Sequence, residues 1–457
     1  MGDIAMGAEA EQERHVEAGG ARESAARRLR LLLVGVLGAG LLWAIVTHSL
    51  VAALVESRPH WALAIEPDDP GALMALAERA LDRERARMAR PAKPAPKAAA
   101  EQDGDNAPDS ELDDDLRRWA TAVLVQEPGN ARALAILGDL ARRSGAESAA
   151  ATFLGASARH SVREPLALGW LIEEALKRRD WPEVVRHTGA MLRYYPIAFA
   201  PLSPLLAQLL QDAEAAPSVR DLLATAPPWR KEFLPVLLDA SANPRAPLDL
   251  YLSLKETPHP PSVRELQQYL AFLIRGQFFE LAYYTWLQFL PPEQLAQTGL
   301  IFNGGFEKRP SGLQFDWVFA RERSSGASIE RRGDRASERT LVVRLGPGRA
   351  EVDYISQLIR LQPGRYRIQG STMGNVEGGR GMRWRVRCLG AQRQQIGESE
   401  MLVGRIPKWT EFSFDVNVPS AGCAAQELRL VLDARTPSEQ LVSGTIFFDD
   451  LSASRVP

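Results

Sequence analysis

Five arginines in the C-terminal third of the chain have a spacing suited to binding an anion. Arg383, Arg385 and Arg387 alternate with apolar residues in MRWRVRCL, and Arg365 and Arg367 alternate in the same way in GRYRIQGST. Successive side chains of a β-strand point to opposite faces, so each set places its guanidinium groups on one face. Such groups bind carboxylates or sulfates in a bidentate manner. The alternative is that both sets lie on ordinary solvated strand faces.

Positive charge is concentrated in this part of the chain. From residue 301 onward there are 23 basic residues, 21 of them arginine, against 18 acidic residues. The whole chain of 457 residues has a formal net charge of -2. This near balance argues against the strongly basic surface of a nucleic-acid-binding protein.

The sequence contains no recognisable catalytic motif. All six histidines lie at or before His259, so the last 198 residues cannot supply a histidine-based triad of their own. Phosphate-binding GxxxxGK[ST], GxSxG, HExxH and GxGxxG motifs are absent. Asp449 and Asp450 are adjacent on a predicted strand and therefore point to opposite faces, unlike the facing carboxylates of a glycosidase. We expect a binding protein, not an enzyme.

A long apolar segment runs from Leu31 to Val55 and predicts a transmembrane helix. Thr47, His48 and Ser49 are its only clearly polar side chains. A helix of 25 residues is about 37 Å long, more than the ~30 Å hydrocarbon core of a bilayer. A cleaved signal peptide is the alternative, but its apolar core is typically shorter and nearer the N-terminus.

The charges on either side of this segment predict its orientation. Arg27, Arg28 and Arg30 precede it, whereas Glu66 and Asp68 follow it. By the positive-inside rule, residues 1–30 form a disordered cytoplasmic tail and the rest of the chain is exported. We therefore predict a single-pass protein of a bacterial inner membrane with most of its mass in the periplasm.

The only two cysteines, Cys388 and Cys423, lie in or beside predicted strands of the exported part. In an oxidising periplasm a disulfide between them would close a loop of about 36 residues and stabilise the fold by ~3 kcal/mol. Neither has the CxxC spacing of a redox site or a nearby histidine for a metal site. A reduced pair would instead indicate the cytoplasm.

The sequence after the apolar segment predicts repeated pairs of helices. Trp61 to Leu73 and Trp119 to Leu134 both contain a helix, a Glu-Pro step, a turn and a new helix, and Pro165 and Pro196 follow at intervals of 37 and 31 residues. The pattern resembles tetratricopeptide repeats, which have a period of 34 residues, over roughly residues 58–200. The resemblance implies a helical solenoid whose concave face binds a peptide or a partner protein.

Helical patterning continues to residue 295, so we predict a helical repeat domain over residues 56–295. Residues 90–115 interrupt it with a segment rich in proline, alanine and lysine and then in acidic residues. Such a composition cannot bury a core and predicts a flexible insertion. An acidic docking segment is the alternative.

Residues 296–457 predict a separate all-β domain. Apolar and polar residues alternate in RTLVVRL, YISQLIRL, GRYRIQGST, MRWRVRCL, TEFSFDVNV, ELRLVLDA and GTIFFDDLSAS. Seven or eight short strands at this spacing are typical of an antiparallel sandwich or jelly roll.

Four segments of this domain resemble family 4/9 carbohydrate-binding modules. They are the opening Asn303–Glu307, Trp317, the strand Trp409–Phe414 and the closing Phe448–Leu451. The resemblance implies a jelly roll in which the first and last strands meet. It also implies that Trp317 and Trp409 pack in the core and are poor candidates for sugar platforms.

The same resemblance implies a structural calcium ion between the opening and closing segments. Carried over by position, its ligands are Asn303, Glu307 and Asp450, with Asp449 as a further candidate and backbone carbonyls completing the shell. In the alternative interpretation, Glu307 and Asp450 are hydrogen-bonded or exposed residues of the rim.

Together these features predict a non-enzymatic, membrane-anchored periplasmic scaffold that assists the assembly or export of a cell-surface polysaccharide. The helical repeats would contact other envelope proteins, and the arginine rows would bind an anionic polysaccharide. The alternative is a structural subunit of a cell-envelope machine, such as a secretion or motility apparatus, that binds no sugar.

Overall fold

A computed structural model describes residues 35–88, 107–319, 325–331, 339–346, 348–350, 352, 355–390 and 393–457. The predicted cytoplasmic tail, the first four residues of the predicted span and most of the predicted insertion lie outside these ranges. The chain divides into two compact units, Met1–Tyr194 and Tyr195–Pro457.

The first unit is helical throughout its described part. Its helices are α1 (Gly35–Val55), α2 (Pro59–Ile65), α3 (Pro70–Met88), α4 (Ala107–Gln126), α5 (Ala131–Arg143), α6 (Glu147–His160), α7 (Pro165–Arg178) and α8 (Trp181–Tyr194).

Short-range sequence signals explain where these helices begin and how closely they pack. Asn130 caps α5 by accepting a hydrogen bond from the backbone N–H of Ala133 at 3.0 Å. Pro165 occupies the first turn of α7, where its missing N–H costs nothing. Gly138 of α5 lies so close to α6 that a Cβ would come within 2.5 Å of Leu154 Cγ. The small residues of this helix pair therefore allow a close approach.

α1 is the one helix of the described residues that is long and apolar enough to cross a membrane. It has 21 residues and a mean hydropathy of 1.8. Its last turns pack on the neighbouring helices, because Val51 is only 2% exposed and forms a small core with Ala62 and Ala72. By length and composition, α1 is compatible with a single membrane span or with a signal sequence.

The second unit begins with a short 3₁₀ helix and seven α-helices. They are Pro196–Ala198, followed by α9 (Phe199–Leu209), α10 (Ala216–Ala224), α11 (Arg230–Ala240), α12 (Ala246–Lys255), α13 (Val263–Arg275), α14 (Phe279–Gln288) and α15 (Pro292–Leu295). Gly276 follows the last residue of α13 and lies in the connection to α14.

The strands form two five-stranded antiparallel sheets packed face to face. Sheet I has the order β1-β4-β9-β6-β7, and sheet II has the order β2-β3-β10-β5-β8. The strands are β1 (Val318–Phe319), β2 (Ser325–Arg331), β3 (Arg339–Leu345), β4 (Ile355–Ile359), β5 (Gly364–Glu377), β6 (Met382–Leu389), β7 (Gln395–Glu398), β8 (Gly404–Val418), β9 (Ala425–Leu432) and β10 (Ser443–Arg455).

The predicted two-sheet sandwich is confirmed, and all seven predicted segments form strands. β3 and β6 have the predicted bounds, whereas β5, β8 and β10 extend beyond them. β1, β2 and β7 were not predicted. β1 has two residues and β7 is the tetrapeptide QIGE, so neither is long enough to show a clear alternation.

Aromatic ring contacts join α14 to the segment that precedes the first strand of the sandwich. Trp286 of α14 packs edge-on against Phe302, with ring centroids 5.1 Å apart, and lies 5.6 Å from Phe315. Arg360, just after β4, pairs with Glu280 of α14 at 3.0 Å. Although the composition changes near residue 296, the compact unit therefore starts about a hundred residues earlier, at Tyr195.

The predicted disulfide is present. Cys388, in β6, and Cys423, just before β9, are bonded, and their Cα atoms lie 5.0 Å apart. Both side chains are buried in the sandwich core. The bond encloses the segment that carries β7 and β8 and so restricts the unfolded chain.

Candidate functional site

The five predicted arginines lie on two different surfaces. Trp384 and Val386 of β6 are fully buried, so Arg383, Arg385 and Arg387 point to the outer face of sheet I. The other two, from β5, are exposed on the outer face of sheet II. The sandwich core separates the sets, so they do not form one site.

On sheet II the two exposed arginines share one carboxylate. Arg367 Nε donates to Asp415 Oδ1 of β8 at 2.9 Å, and Arg365 lies 3.9 Å from the same carboxylate. Exposed pairs of this kind contribute little to stability. This surface has the features of a solvated strand face, which is the alternative that the sequence left open.

Sheet I extends its arginine row across a neighbouring strand. Arg429 of β9 lies directly opposite Arg385 in the antiparallel register, and Glu427 lies opposite Arg387. On the other side of β6, Glu398 of β7 pairs in register with Arg385. Directly opposed residues of antiparallel strands share a face and contact one another, so these side chains form one polar surface.

Arginines of this surface line a cleft of about 560 Å³. Four arginines line it: Arg385, Arg387, Arg393 and Arg429. The other described lining residues are alanine, valine, leucine and glutamine, including Gln395, and none is acidic. Its volume lies within the usual range for a ligand site.

Carboxylates that contact Arg383 and Arg385 neutralise one end of the cleft. Asp433 accepts a hydrogen bond from Arg385 Nη2 at 2.6 Å and lies 3.2 Å from Arg383 Nη2. Glu398 accepts from Arg385 Nε at 3.1 Å. Two guanidinium groups therefore face two carboxylates, and this end carries no net charge.

The other end keeps a positive excess. Glu427 accepts a hydrogen bond from Arg387 Nε at 2.6 Å and lies 3.7 Å from Arg429 Nε. Arg393, in the connection between β6 and β7, also lines this end. The described lining of this end therefore contributes three arginines and no carboxylate, a charge that an anion can balance.

The pKa values of two residues reflect this arrangement. Burial pushes the pKa of Asp433 upward, but the hydrogen bond and charge of Arg385, with the charge of Arg383, hold it below its usual value. Burial lowers the pKa of Arg429 from its ordinary value. The Arg429 guanidinium remains charged at neutral pH, and an anion beside it would offset the cost of its burial.

Aromatic side chains do not line the described part of the cleft. Trp317 is fully buried, with its ring 5.7 Å from that of Trp384. Trp409 is half-buried on β8. Recognition in this cleft would therefore rely on charge and hydrogen bonds rather than on stacking of sugar rings.

The opening and closing segments of the sandwich meet, as the sequence predicts. The backbone N–H of Leu451 donates to the carbonyl of Gly304 at 3.0 Å, and a Cβ at Gly304 would lie 1.8 Å from the carbonyl oxygen of Leu451. Only glycine fits this contact. The side-chain amide of Asn303 donates to the carbonyl of Lys308 at 2.8 Å and accepts from its N–H at 3.1 Å, which closes the opening loop.

The four predicted calcium ligands differ in position. Asp449 is buried, whereas Glu307 and Asp450 are exposed. Asp449 pairs in register with Ser371, whereas Asp450 lies in the irregularity that follows and has a positive φ of 53°. A Cβ on Gly305 would lie 3.9 Å from Asp449 Oδ1 and 4.0 Å from Glu307 Cγ, so these two side chains flank Gly305. The described residues contain no group of three or more histidine, cysteine, aspartate or glutamate side chains arranged for a metal.

The sequence analysis missed two arginines of the cleft. Arg429 lies in ELRLVL, which has the same alternation as β6, but only the pairing of β9 with β6 places it beside Arg385. Arg393 lies in the connection between β6 and β7, and no periodic signal marks it.

No protein family and no curated protein matches the sequence. A search of solved structures finds a carbohydrate-binding module of family 4, 17% identical, with a TM-score of 0.26, covering 34% of this chain and 99% of that chain. It also finds TmCBM61 in complex with β-1,4-galactotriose, 17% identical, with a TM-score of 0.23, covering 35% of this chain and 99% of that one. A third is the CBM22-1 xylan-binding domain of Xyn10C from Paenibacillus barcinonensis, 12% identical, with a TM-score of 0.22, covering 31% of this chain and 85% of that one.

The ion pairs of Asp433 give stability a defined pH dependence. Because the folded-state pKa of Asp433 is below the unfolded value of about 3.9, its contribution is complete above that pH and is lost as the pH falls through the folded value. We expect Asp433→Asn to lower the free energy of unfolding at pH 7 by about 2 kcal/mol. The variant should also show a weaker decrease of this free energy as the pH falls through the acidic range. Urea unfolding between pH 2 and 7 measures both effects.

Asp415→Asn is the matched control, since Asp415 pairs with Arg367 on an exposed surface. Its effect at pH 7 should be clearly smaller. Equal losses in the two variants would contradict the role assigned to Asp433.

Proposed function

We propose that the sandwich binds an anionic polysaccharide, bearing carboxylate or sulfate groups, in the cleft on sheet I. The observation that carries this proposal is that Arg385, Arg387, Arg393 and Arg429 line one cleft without any acidic residue among its described lining. Guanidinium groups suit such anions because their paired N–H donors match the two oxygens.

The two ends of the cleft would do different things. The end formed by Arg387, Arg393 and Arg429 has the positive excess and would bind the charged group of one sugar. Arg385 is already held by Asp433 and Glu398. It would serve, with neighbouring glutamines, as a hydrogen-bond donor to uncharged hydroxyls.

We propose that the protein binds this polymer without chemical turnover. The described lining contains arginine, glutamine and aliphatic residues. It therefore offers neither the two carboxylates of a typical glycosidase nor a nucleophile with an adjacent base. A scaffold that assists assembly or export of the polymer needs only this kind of reversible binding.

The helical unit would supply the protein contacts of such a scaffold. Its tetratricopeptide-like pairing is supported by the close α5–α6 approach at Gly138 and by Pro165 at the start of α7. Val125 and Val162 are 78% and 70% exposed. Exposed apolar residues of this kind favour the second candidate function, a protein-binding subunit of an envelope machine without a sugar ligand.

We propose that α1 is retained as a single-pass anchor, with the bulk of the chain in the periplasm. Val51, in its last turns, is buried with Ala62 and Ala72. A Cβ on Gly71 would lie 3.4 Å from Val55 Cγ1, so the end of α1 packs closely on α3. Cleavage after α1 would remove Val51 and Val55 and leave Ala62 and Ala72 without these packing partners, which argues against a signal peptide.

We also propose that a calcium ion stabilises the junction of the opening and closing segments. Glu307 and Asp449 flank Gly305 and can supply carboxylate oxygens. Because Ca²⁺ takes six to eight oxygen ligands, backbone carbonyls and water must complete the shell. Asn303 would act on the loop conformation, since Lys308 already engages its side chain.

The cleft proposal can be tested with two charge-matched double variants of the full-length chain in detergent. We expect Arg387→Ala with Arg393→Ala to weaken binding to polygalacturonate or dextran sulfate at least tenfold, because it removes the positive excess. Arg365→Ala with Arg367→Ala removes the same charge from sheet II and should bind like the wild type. Calorimetry measures both, with neutral dextran as the uncharged ligand.

Equal weakening by the two double variants would mean that binding follows net charge, and the cleft proposal would be wrong. Failure of the wild type to bind either anionic polymer, together with co-purification of envelope proteins, would favour the second candidate function.

The anchor proposal predicts the mass of the mature protein. The chain recovered from membranes should retain α1 in intact mass spectrometry. A soluble chain that begins after Val55 would overturn the proposal.

Val51→Ala should lower the free energy of unfolding by about 1–3 kcal/mol because it leaves a cavity, whereas Val46→Ala, at a position 54% exposed, should not.

The calcium proposal predicts a metal-dependent melting temperature. Addition of Ca²⁺ should raise the melting temperature of the wild type, by linkage of binding to folding, and EGTA should reverse the increase. Glu307→Gln should abolish the response, whereas Glu377→Gln, at an exposed position on β5, should retain it. The absence of any response in the wild type would exclude the ion.

A further inference from the structure

A second cavity lies among the helices of the second unit, between α9, α10, α11 and α12. Its volume is about 170 Å³. The buried side chains Leu237, Pro247 and Leu250 form its apolar part. An apolar cavity of about 150 Å³ is large enough to hold a benzene ring. This cavity therefore accommodates one branched or aromatic side chain.

A cation lies in the wall of this cavity. Arg220 of α10 lines it, and its Nε atom is buried without a hydrogen-bond partner in the described part of the chain. No described carboxylate lies within ion-pair distance of Arg220. An anion that enters the cavity would therefore meet an arginine whose charge no described carboxylate balances.

Arg230, in α11 of the second unit, is an arginine whose N–H groups do have acceptors. Arg230 Nε donates to Glu265 Oε1 at 2.9 Å, and its Nη1 donates to the carbonyls of Leu223 and His259, both at 3.0 Å. The fold thus supplies a complete set of acceptors to Arg230 and leaves the Nε of Arg220 without one. Arg220 thus differs from Arg230 in having no described ion-pair partner, and a carboxylate that enters the cavity can supply one.

The rim of the cavity is polar and open to solvent. Gln211 and Asn243 line it and are exposed. Asn243 Oδ1 accepts from the backbone N–H of Arg245 at 3.0 Å, which fixes the orientation of the side chain and directs its NH₂ group elsewhere. Two side-chain amides at the rim can hydrogen-bond to a peptide backbone that leaves the cavity.

We propose that this cavity binds the C-terminal residue of a partner protein that ends in a leucine-like or aromatic side chain. The side chain would fill the apolar part, the terminal carboxylate would accept from Arg220, and the preceding peptide group would meet Gln211 and Asn243. The proposal is independent of the cleft on sheet I and of the polysaccharide proposed to bind there.

The test compares two small probes on the full-length protein. N-acetyl-leucine carries the side chain and the carboxylate, whereas N-acetyl-leucinamide has the same side chain without the charge. We expect N-acetyl-leucine to bind at least tenfold more tightly in ligand-observed NMR titrations. Equal binding of the two, or binding of neither, would overturn the proposal because it requires the charge. Tighter binding of hexanoate would assign the cavity to a free fatty acid instead and would also overturn it.

Two variants test the assignment to this cavity. Arg220→Gln should remove the preference for the carboxylate, whereas Arg264→Gln, at an exposed position of α13, should leave it unchanged. Ala246→Phe places a bulky group at the exposed rim, keeps Arg220, and should block both probes. Retention of the preference in both cavity variants would show that the probe binds elsewhere.

Discussion

The alternation of side chains along β6 is the constraint on which the candidate site depends. Trp384, Val386 and Cys388 are drawn into the sandwich core by burial of apolar surface and by the disulfide. Since the strand has a period of two, the same burial fixes Arg383 and Arg387 on the outer face. A slip of one residue would bury charged groups and expose a tryptophan, so the core specifies the position of the arginines.

Pairing with carboxylates then determines which arginines remain available to a ligand. Without carboxylate partners, the guanidinium groups of an arginine row would repel one another, and their side chains would spread apart in solvent. Asp433 and Glu398 pair with Arg383 and Arg385 and neutralise their charge, whereas Glu427 pairs with two arginines, Arg387 and Arg429. The cleft therefore combines a neutral end with a positive end. The number of arginines in the sequence does not reveal this division of the cleft. The division depends on the pairing of each arginine with an acidic residue on a neighbouring strand.

The sequence predicted features that depend on local periodicity and missed those that depend on pairing. Alternation gave β3 and β6 with their observed bounds, and two cysteines in one domain gave the disulfide. Alternation also selected Arg365 and Arg367, which lie on the opposite sheet, because a period of two does not say which sheet a strand joins. Arg429 became visible only through the register of β9 with β6. The cavity around Arg220 combines residues of four helices and has no signal in the sequence.

The contact between helices and sandwich links the last helices to the sheet that carries the cleft. Trp286 of α14 packs on Phe302, whose backbone N–H and carbonyl both bond to the side chain of Gln357, at 3.1 and 2.8 Å. Gln357 belongs to β4, and β4 pairs directly with β9, the strand that carries Arg429. Because each step is a buried ring contact or a buried hydrogen bond, α14 and the arginine cleft form one continuous packed structure. The helices after Tyr195 are therefore part of the framework that positions the cleft, and removing them would expose the Phe302 and Phe315 rings of the sandwich.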